Sequence, residues 1–220
     1  MMNDPEIRAL LYPMLTGGHL LDELPVGTTR ADVLHLTPDF MHGYELKGDG
    51  DTLKRLENQV RCYSQSFDYV TFVVTSKHFN KALNALPQWV GLWSATPLGI
   101  VRMREAQAHD QLARAHIASL LWQDEIKCFM QERGMKGLSK YRLWELFGVL
   151  EQDTTIPTAA LAAFVRQRLI DRLPQRLAQR AALKVQRQEG KEREAERQAG
   201  YRRLEALMQE GLLAQGWPPA

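Results

Sequence analysis

A chain of 220 residues can bury one good core, or one core with a smaller appendage, and 45% hydrophobic with 25% charged residues is ordinary for a globular protein. The net charge of +2 is unevenly distributed, since residues 1–105 carry 10 basic and 12 acidic side chains and residues 106–220 carry 18 and 14. The sequence shows no long apolar run, no secretory leader and no Cys/His pattern with zinc spacing, so we expect a cytoplasmic protein with no membrane span and with Cys62 and Cys128 reduced.

The first half of the chain alternates between helical and strand patterns. Asp4 and Pro5 are typical of a helix start, and Asp51 is a candidate cap for a later helix. The β-branched run at 69–74 indicates a buried central strand. The predicted helices are 5–15, 51–66 and 77–86, and the predicted strands are 19–26, 30–37, 41–47, 69–74, 89–94 and 99–104.

The second half is predicted to be entirely helical. We expect an α/β domain over 1–105, a helical subdomain over 106–173 and a basic, polar helix or tail over 174–220. The predicted helices in this half are 109–134, 139–150, 158–171 and 174–213.

The residues that carry chemistry lie on one predicted hairpin. If 30–37 and 41–47 pair around the turn at Pro38 and Asp39, opposed residue numbers sum to about 77, and Asp32 falls opposite Glu45. Lys47 lies two residues from Glu45 and therefore projects from the same face of the strand. Two carboxylates and an ammonium are thus predicted to converge.

Two interpretations of this cluster are open. Asp32, Glu45 and Lys47 could form a cross-strand salt bridge on a solvated face. Alternatively, Asp32, Glu45 and the Leu46 carbonyl could bind Mg²⁺ or Mn²⁺, with Lys47 assisting a metal-bound water. The apolar neighbours predict a hairpin that is covered on both faces, and this favours the metal site.

The order of these elements resembles the PD-(D/E)XK, or restriction-endonuclease-like, nuclease superfamily. Gln59 and Tyr63 form a Gln-x3-Tyr pair on one helix face, which is similar to the additional motif of the RecB-like branch. The resemblance covers roughly residues 5–95. It implies a central mixed β-sheet flanked by helices, catalytic roles for Gln59 and Tyr63, and a further contact from Glu6 on the first helix.

The literal Pro-Asp pair of that motif is a competing assignment for the first acid. Asp39 would lie at the tip of the hairpin, up to ~20 Å along the strand from Glu45. We therefore assign the first acid to Asp32 and interpret Asp39 as a turn residue.

Several basic residues are candidates for phosphate contacts. Lys54 and Arg55, at the start of the predicted helix that bears Gln59, could contact a phosphate or lie on a solvated helix face, and a helix-turn-helix-like pair would present other contacts from the second half. For the second half, an ordinary helical packing subdomain is the slightly favoured alternative. The candidates in the second half are Lys140, Arg142, Arg166 and Arg168.

The leading hypothesis is a metal-dependent phosphodiesterase, most simply an endonuclease, that hydrolyses DNA by attack of a metal-activated water. RNA is an alternative substrate, and the setting is DNA repair, phage biology or defence. The rival hypothesis is a catalytically silent nuclease-like module that binds nucleic acid or a protein partner. A homodimer or a partner bound through the C-terminal helices is also open.

Overall fold

The computed structural model describes residues 1–214, with the side chains of residues 184 and 209–214 left undescribed. The chain divides into two compact units, and the second begins at Arg172. The first unit contains a six-stranded sheet. Its strands are β1 His19–Val26, β2 Thr29–Leu36, β3 Met41–Lys47, β4 Tyr69–Thr75, β5 Gly91–Thr96 and β6 Gly99–Arg104.

The strands follow chain order across a mixed sheet, which confirms the predicted α/β class. The first three strands form antiparallel pairs, β3, β4 and β5 run parallel, and β6 returns antiparallel to β5. Parallel neighbours need crossover connections. Two helices that precede β4 and β5 provide them, α2 Leu56–Ser64 and α3 Ser76–Ala85.

One face of the sheet packs against the first helix, α1 Asp4–Leu11. Ile7 and Leu11 from α1 meet Leu46, Val73 and Trp93 in one buried cluster. Because side chains alternate along a strand, Glu45 and Lys47 project from the opposite face of β3, towards α2. The sheet therefore separates an apolar core from the polar cluster.

Two predicted helix starts differ from the observed ones. Asn3, not Asp4, caps α1, because Asn3 and Glu6 form a reciprocal capping box. The helix predicted to start at Asp51 starts at Leu56, because the Asp51 carboxylate instead accepts the Gly48 N–H at 2.8 Å and closes a turn.

The rest of the first unit is helical, as predicted, but more broken. The predicted helix 109–134 is replaced by an irregular segment and two short helices, and the helix predicted from residue 139 begins at Leu143. Left-handed Gly137 opens a short 3₁₀ turn before that helix. The helices are α4 Arg114–Ala118, α5 Gln123–Gln131, α6 Leu143–Gln152 and α7 Thr158–Asp171.

Specific contacts tie these helices to the sheet. Arg166 of α7 donates to the Pro38 carbonyl at 2.7 Å and pairs with Asp68 at 3.6 Å. The Ala113 N–H donates to the Gln65 carbonyl at 3.0 Å. Residues predicted as a helical subdomain beyond 105 thus belong, up to Asp171, to the same compact unit as the sheet.

The second unit contains the long helix α8, Leu173–Ala214, close to the predicted tail helix. Its polar composition leaves the described side chains from residue 185 to 208 exposed. The end of the predicted tail, 215–220, lies outside the described residues. Within residues 1–214, no helix is both long and apolar enough to cross a membrane.

Candidate functional site

The hairpin of β2 and β3 has the predicted register. Val33 pairs with Tyr44 and Leu36 with Met41, so paired residue numbers sum to 77. The next position along each strand places Asp32 opposite Glu45. Here the Asp32 side chain itself accepts a hydrogen bond, since its Oδ2 lies 2.7 Å from the Leu46 backbone nitrogen.

The Glu45 carboxylate is the centre of the cluster, and only 2% of the residue is exposed. Lys47 Nζ and Gln59 Nε2 donate to Oε1 at 2.8 and 2.5 Å, and the Tyr63 hydroxyl donates to Oε2 at 2.6 Å. A buried carboxylate is costly unless such donors compensate for lost water. These contacts unite all the residues predicted for this face of β3 and α2.

Helix α2 brings two of these donors because Gln59 and Tyr63 lie one turn apart on its buried face. Burial, followed by the negative charge of Glu45, raises the pKa of the Tyr63 phenol. The phenol therefore keeps its hydrogen and acts as a donor. Gln59 Oε1 is buried and has no hydrogen-bond partner within the part of the chain that the structure describes.

The second carboxylate, Asp32, is half-buried and lies close to the negative charge of Glu45. Burial and the nearby charge of Glu45 raise the pKa of Asp32 to about 7, against the opposing effect of the Leu46 hydrogen bond. Among the groups that the structure describes, none donates a hydrogen bond to Asp32 Oδ1, whereas Oδ2 accepts the Leu46 N–H. Asp32 is thus the less satisfied of the two acids.

Metal-binding capacity was expected at this pair of acids. No group of three or more His, Cys, Asp and Glu side chains with metal-binding geometry occurs among the described residues. The hard oxygen donors present are those of Asp32 and Glu45, together with backbone carbonyls such as that of Leu46. Any cation held here would need water molecules as additional ligands.

A family model for the bacteriophage P4 protein cII matches residues 5–196. The chain belongs to the bacteriophage P4 protein cII family. No curated protein matches it. Among solved structures, it is similar to the SPO1766 protein of unknown function from Silicibacter pomeroyi, with 18% identity over 61% of this chain and 90% of that chain and a TM-score of 0.38.

Asp39 of this P4 cII family member is placed as predicted, in the turn at the tip of the hairpin. Thr37 Oγ1 accepts the Asp39 and Phe40 N–H groups at 3.2 and 3.0 Å. The Asp39 side chain is exposed and takes no part in the Glu45 cluster. The side chain that closes this turn is therefore that of Thr37.

Glu6 is not brought to the cluster, contrary to expectation. Its carboxylate accepts the Asn3 N–H at 2.7 Å and serves as the capping partner of α1. The residue of α1 that does approach is Arg8, whose Nη1 donates to the Asp32 carbonyl at 2.8 Å. Arg8 also pairs with Asp22 at 3.2 Å and Glu23 at 2.7 Å on β1.

Sequence reasoning missed Arg8. The only local signal is Asp4, four residues earlier, which also contacts the Arg8 guanidinium. The partners on β1 and β2 are 14 to 24 residues away in sequence, so they follow only from the packing of α1 on the sheet.

The predicted phosphate contacts fall into two groups. Lys54, Arg55, Lys140 and Arg142 are exposed, and Arg168 is half-buried, stacked 4.9 Å from the Phe164 ring and paired with Asp171. Arg166 differs from expectation, since it is 9% exposed and its guanidinium is engaged by Pro38 and Asp68. It secures α7 to the hairpin tip, which explains why it is unsuited to hold phosphate.

Proposed function

We propose that this chain is a Mg²⁺- or Mn²⁺-dependent nuclease that hydrolyses DNA, with its site at Asp32, Glu45 and Lys47. The observation that carries the proposal is the placement of two carboxylates on opposed strand positions, one with its pKa raised to about 7 by burial and by the other's charge. Such a like-charged pair is unfavourable alone and favourable around a divalent cation.

The available donors fit a hard cation. Asp32 retains an oxygen without a protein donor, and Glu45 Oε2 accepts one hydrogen bond from Tyr63, which leaves it a lone pair. The buried, unpartnered Gln59 Oε1 suits a water molecule in the same space. When bound, the cation supplies Lewis-acid stabilisation of an attacked phosphate and a water of lowered pKa.

The protein residues have distinct tasks in this proposal. Gln59 and Tyr63 fix the orientation of the Glu45 carboxylate, so its oxygens are in place before substrate arrives. Lys47 carries the positive charge nearest to Glu45 and would offset negative charge that develops on phosphate. Arg8 fixes the backbone at Asp32 from the opposite side of the sheet.

The PD-(D/E)XK likeness supports the same reaction and, by analogy alone, favours an endonuclease. The family description names a bacteriophage protein, which agrees with a cytoplasmic role in phage DNA metabolism or defence. DNA repair and an RNA substrate are alternatives within the same chemistry.

Cleavage of supercoiled plasmid and of single-stranded DNA tests the proposal. Wild-type protein in Mg²⁺ or Mn²⁺ is expected to cut, and EDTA is expected to abolish cutting. Lys47→Gln is expected to lower the rate at least about 100-fold while circular dichroism shows a folded protein. Undiminished cleavage in EDTA would contradict the metal requirement.

A second function is favoured by one observation, namely that Glu45 and Lys47 are each only 2% exposed and bonded to each other. An ion pair that is buried from solvent suits a nuclease-like module that binds nucleic acid or a protein without cutting. Salt-sensitive DNA binding with no cleavage in either metal would favour this reading over catalysis.

A further inference from the structure

The connection between α5 and α6 is strongly basic. Residues 133–142 contain Arg133, Lys136, Lys140 and Arg142 and no acidic residue. The segment turns through Gly134 and Gly137, both in the left-handed region with φ of 82° and 72°. Lys136, Lys140 and Arg142 are exposed. This concentration of charge favours a polyanionic partner.

Two exposed tryptophans flank the basic segment. Trp122 is 56% exposed at the start of α5, and Trp144 is 66% exposed in the first turn of α6, whereas Trp93 in the sheet is 2% exposed. Two large aromatic rings that are each more than half exposed beside one loop indicate a binding surface.

A hydrogen bond holds the two helix starts together. Gln123 Nε2 donates to the Tyr141 carbonyl at 3.2 Å. Gln123 directly follows Trp122, and Tyr141 lies three residues before Trp144, so the bond brings the two tryptophan-bearing segments together. Lys140 Nζ lies 5.3 Å from the centre of the Tyr141 ring. Aromatic rings and cations therefore alternate over a short stretch of surface.

Acidic residues of α5 and α6 lie beside the two helix starts. Glu125 and Glu145 accept the backbone N–H groups of Trp122 and Arg142, at 2.8 and 2.7 Å, in equivalent first-turn positions. Asp124 is exposed. A further acid, Glu132, lies 3.8 Å from Arg133, which is also stacked 3.6 Å from the Phe129 ring centre, so the loop cations that remain for a partner are Lys136, Lys140 and Arg142.

We propose that Trp122, Trp144 and residues 133–142, the aromatic–basic patch, bind single-stranded nucleic acid. Unpaired bases stack on the two indole rings, while Lys136, Lys140 and Arg142 contact phosphates. Duplex DNA hides its base faces and cannot use the rings in this way. The inference rests on the proposed nuclease function for its meaning, since it names single strands as the substrate class.

The test is fluorescence anisotropy with a labelled twenty-nucleotide oligo(dT), in EDTA so that no cleavage occurs. Trp122→Ala and Trp144→Ala are each expected to weaken binding about tenfold. Lys136→Gln and Lys140→Gln are expected to flatten the dependence of affinity on salt. Tyr201→Ala, which removes a 59% exposed ring from α8, is the matched control and is expected to bind like wild type.

Equal affinity of wild type and both tryptophan variants for oligo(dT) would overturn the proposal, as would preferential binding of duplex. Binding of anionic phospholipid vesicles instead of oligonucleotide would also overturn it. Tryptophan-dependent binding by a protein that cuts no DNA would contradict the proposed nuclease but not the patch.

Discussion

The Tyr63 hydroxyl lies 2.6 Å from Glu45 Oε2, although the two residues are 18 positions apart and belong to different elements. The same hydroxyl lies 2.8 Å from the Arg30 carbonyl, so one hydrogen is shared between two acceptors. Helix α2 is thereby joined to both strands of the hairpin, at the point where the acids meet. The orientation of the Glu45 carboxylate thus depends on Tyr63, whose own side chain is not suited to bind Mg²⁺.

Tyr63→Phe removes this hydroxyl and keeps the ring. We expect the free energy of unfolding to fall by about 1–3 kcal/mol, because Glu45 Oε2 loses its buried donor. DNA cleavage is expected to fall about tenfold or more, because the carboxylate is no longer fixed. Urea denaturation and plasmid cleavage measure the two effects.

Tyr201→Phe is the control for that change, since Tyr201 is exposed on α8. It is expected to leave stability and cleavage unchanged. If Tyr63→Phe behaves like this control, the hydroxyl has no role in holding Glu45.

The raised pKa of Asp32, about 7, gives a pH dependence with a defined sign in metal-free protein. Between about pH 4 and pH 7 the folded protein keeps a proton that the unfolded chain releases, so stability falls as pH rises through this window, by roughly 2–4 kcal/mol. Asp32→Asn removes the titrating group and is expected to be more stable than wild type at pH 8. Urea denaturation at several pH values in EDTA checks this, and parallel curves for the two proteins would contradict it.

Adding Mg²⁺ at pH 8 separates the effect of metal binding on stability from the effect of Asp32 protonation. Wild type is expected to gain stability with Mg²⁺ concentration, because a ligand that binds only the folded state stabilises it. Asp32→Asn is expected to gain much less. Equal gains would place the cation elsewhere.

Protonation of the buried His42 side chain is expected to lower the stability of the folded protein in acid. Burial, together with the charges of His35 and Arg102, lowers the pKa of His42 to about 3, and its ring nitrogens contact Thr71 Oγ1 at 2.8 Å and the Tyr44 hydroxyl at 3.1 Å. This stability is fully present above about pH 6.5 and is lost as pH falls towards 3. The difference in melting temperature between pH 7 and pH 4.5 is expected to be smaller in His42→Gln, and an unchanged difference would contradict the assignment.

Arg166 is predicted to act in the fold and not in DNA binding. Arg166→Gln is expected to lower the free energy of unfolding by about 2–3 kcal/mol, since it leaves Asp68 and the Pro38 carbonyl without a charged donor. Arg168→Gln, on the same helix, is expected to cost under about 1 kcal/mol because its pair with Asp171 is more exposed. DNA affinity of refolded Arg166→Gln measured at low temperature should equal that of wild type, and a selective loss of affinity would restore the phosphate-contact reading.

The hairpin and its chemistry were predictable because each step is local. The Thr37–Phe40 turn fixes the register, and the register then places Asp32 against Glu45 without further information. Helical spacing places Gln59 and Tyr63 on one helix face, and the nuclease resemblance implied that this face meets the acids. Short-range rules therefore determine the hairpin part of the cluster.

What could not be predicted depends on distant packing. Nothing near Arg8 in sequence indicates a contact with the Asp32 carbonyl, 24 residues away. The sequence around Arg166 indicates a solvent-facing cation, because its partner Pro38 is 128 residues earlier. The break in the predicted helix 109–134 has a similar origin, because the Ala113 N–H donates to the distant Gln65 carbonyl at 3.0 Å and not to a carbonyl one turn earlier. Helical periodicity carries no trace of that contact.

The most direct test of the proposed centre compares Asp32→Asn with Asp39→Asn in one assay of plasmid and single-stranded DNA cleavage with Mg²⁺. Both variants remove one negative charge from the same hairpin, but only Asp32 faces Glu45. We predict that Asp32→Asn lowers the cleavage rate at least about 100-fold and that Asp39→Asn stays within about twofold of wild type. Wild-type rates in Asp32→Asn, or a large loss in Asp39→Asn alone, would contradict the account.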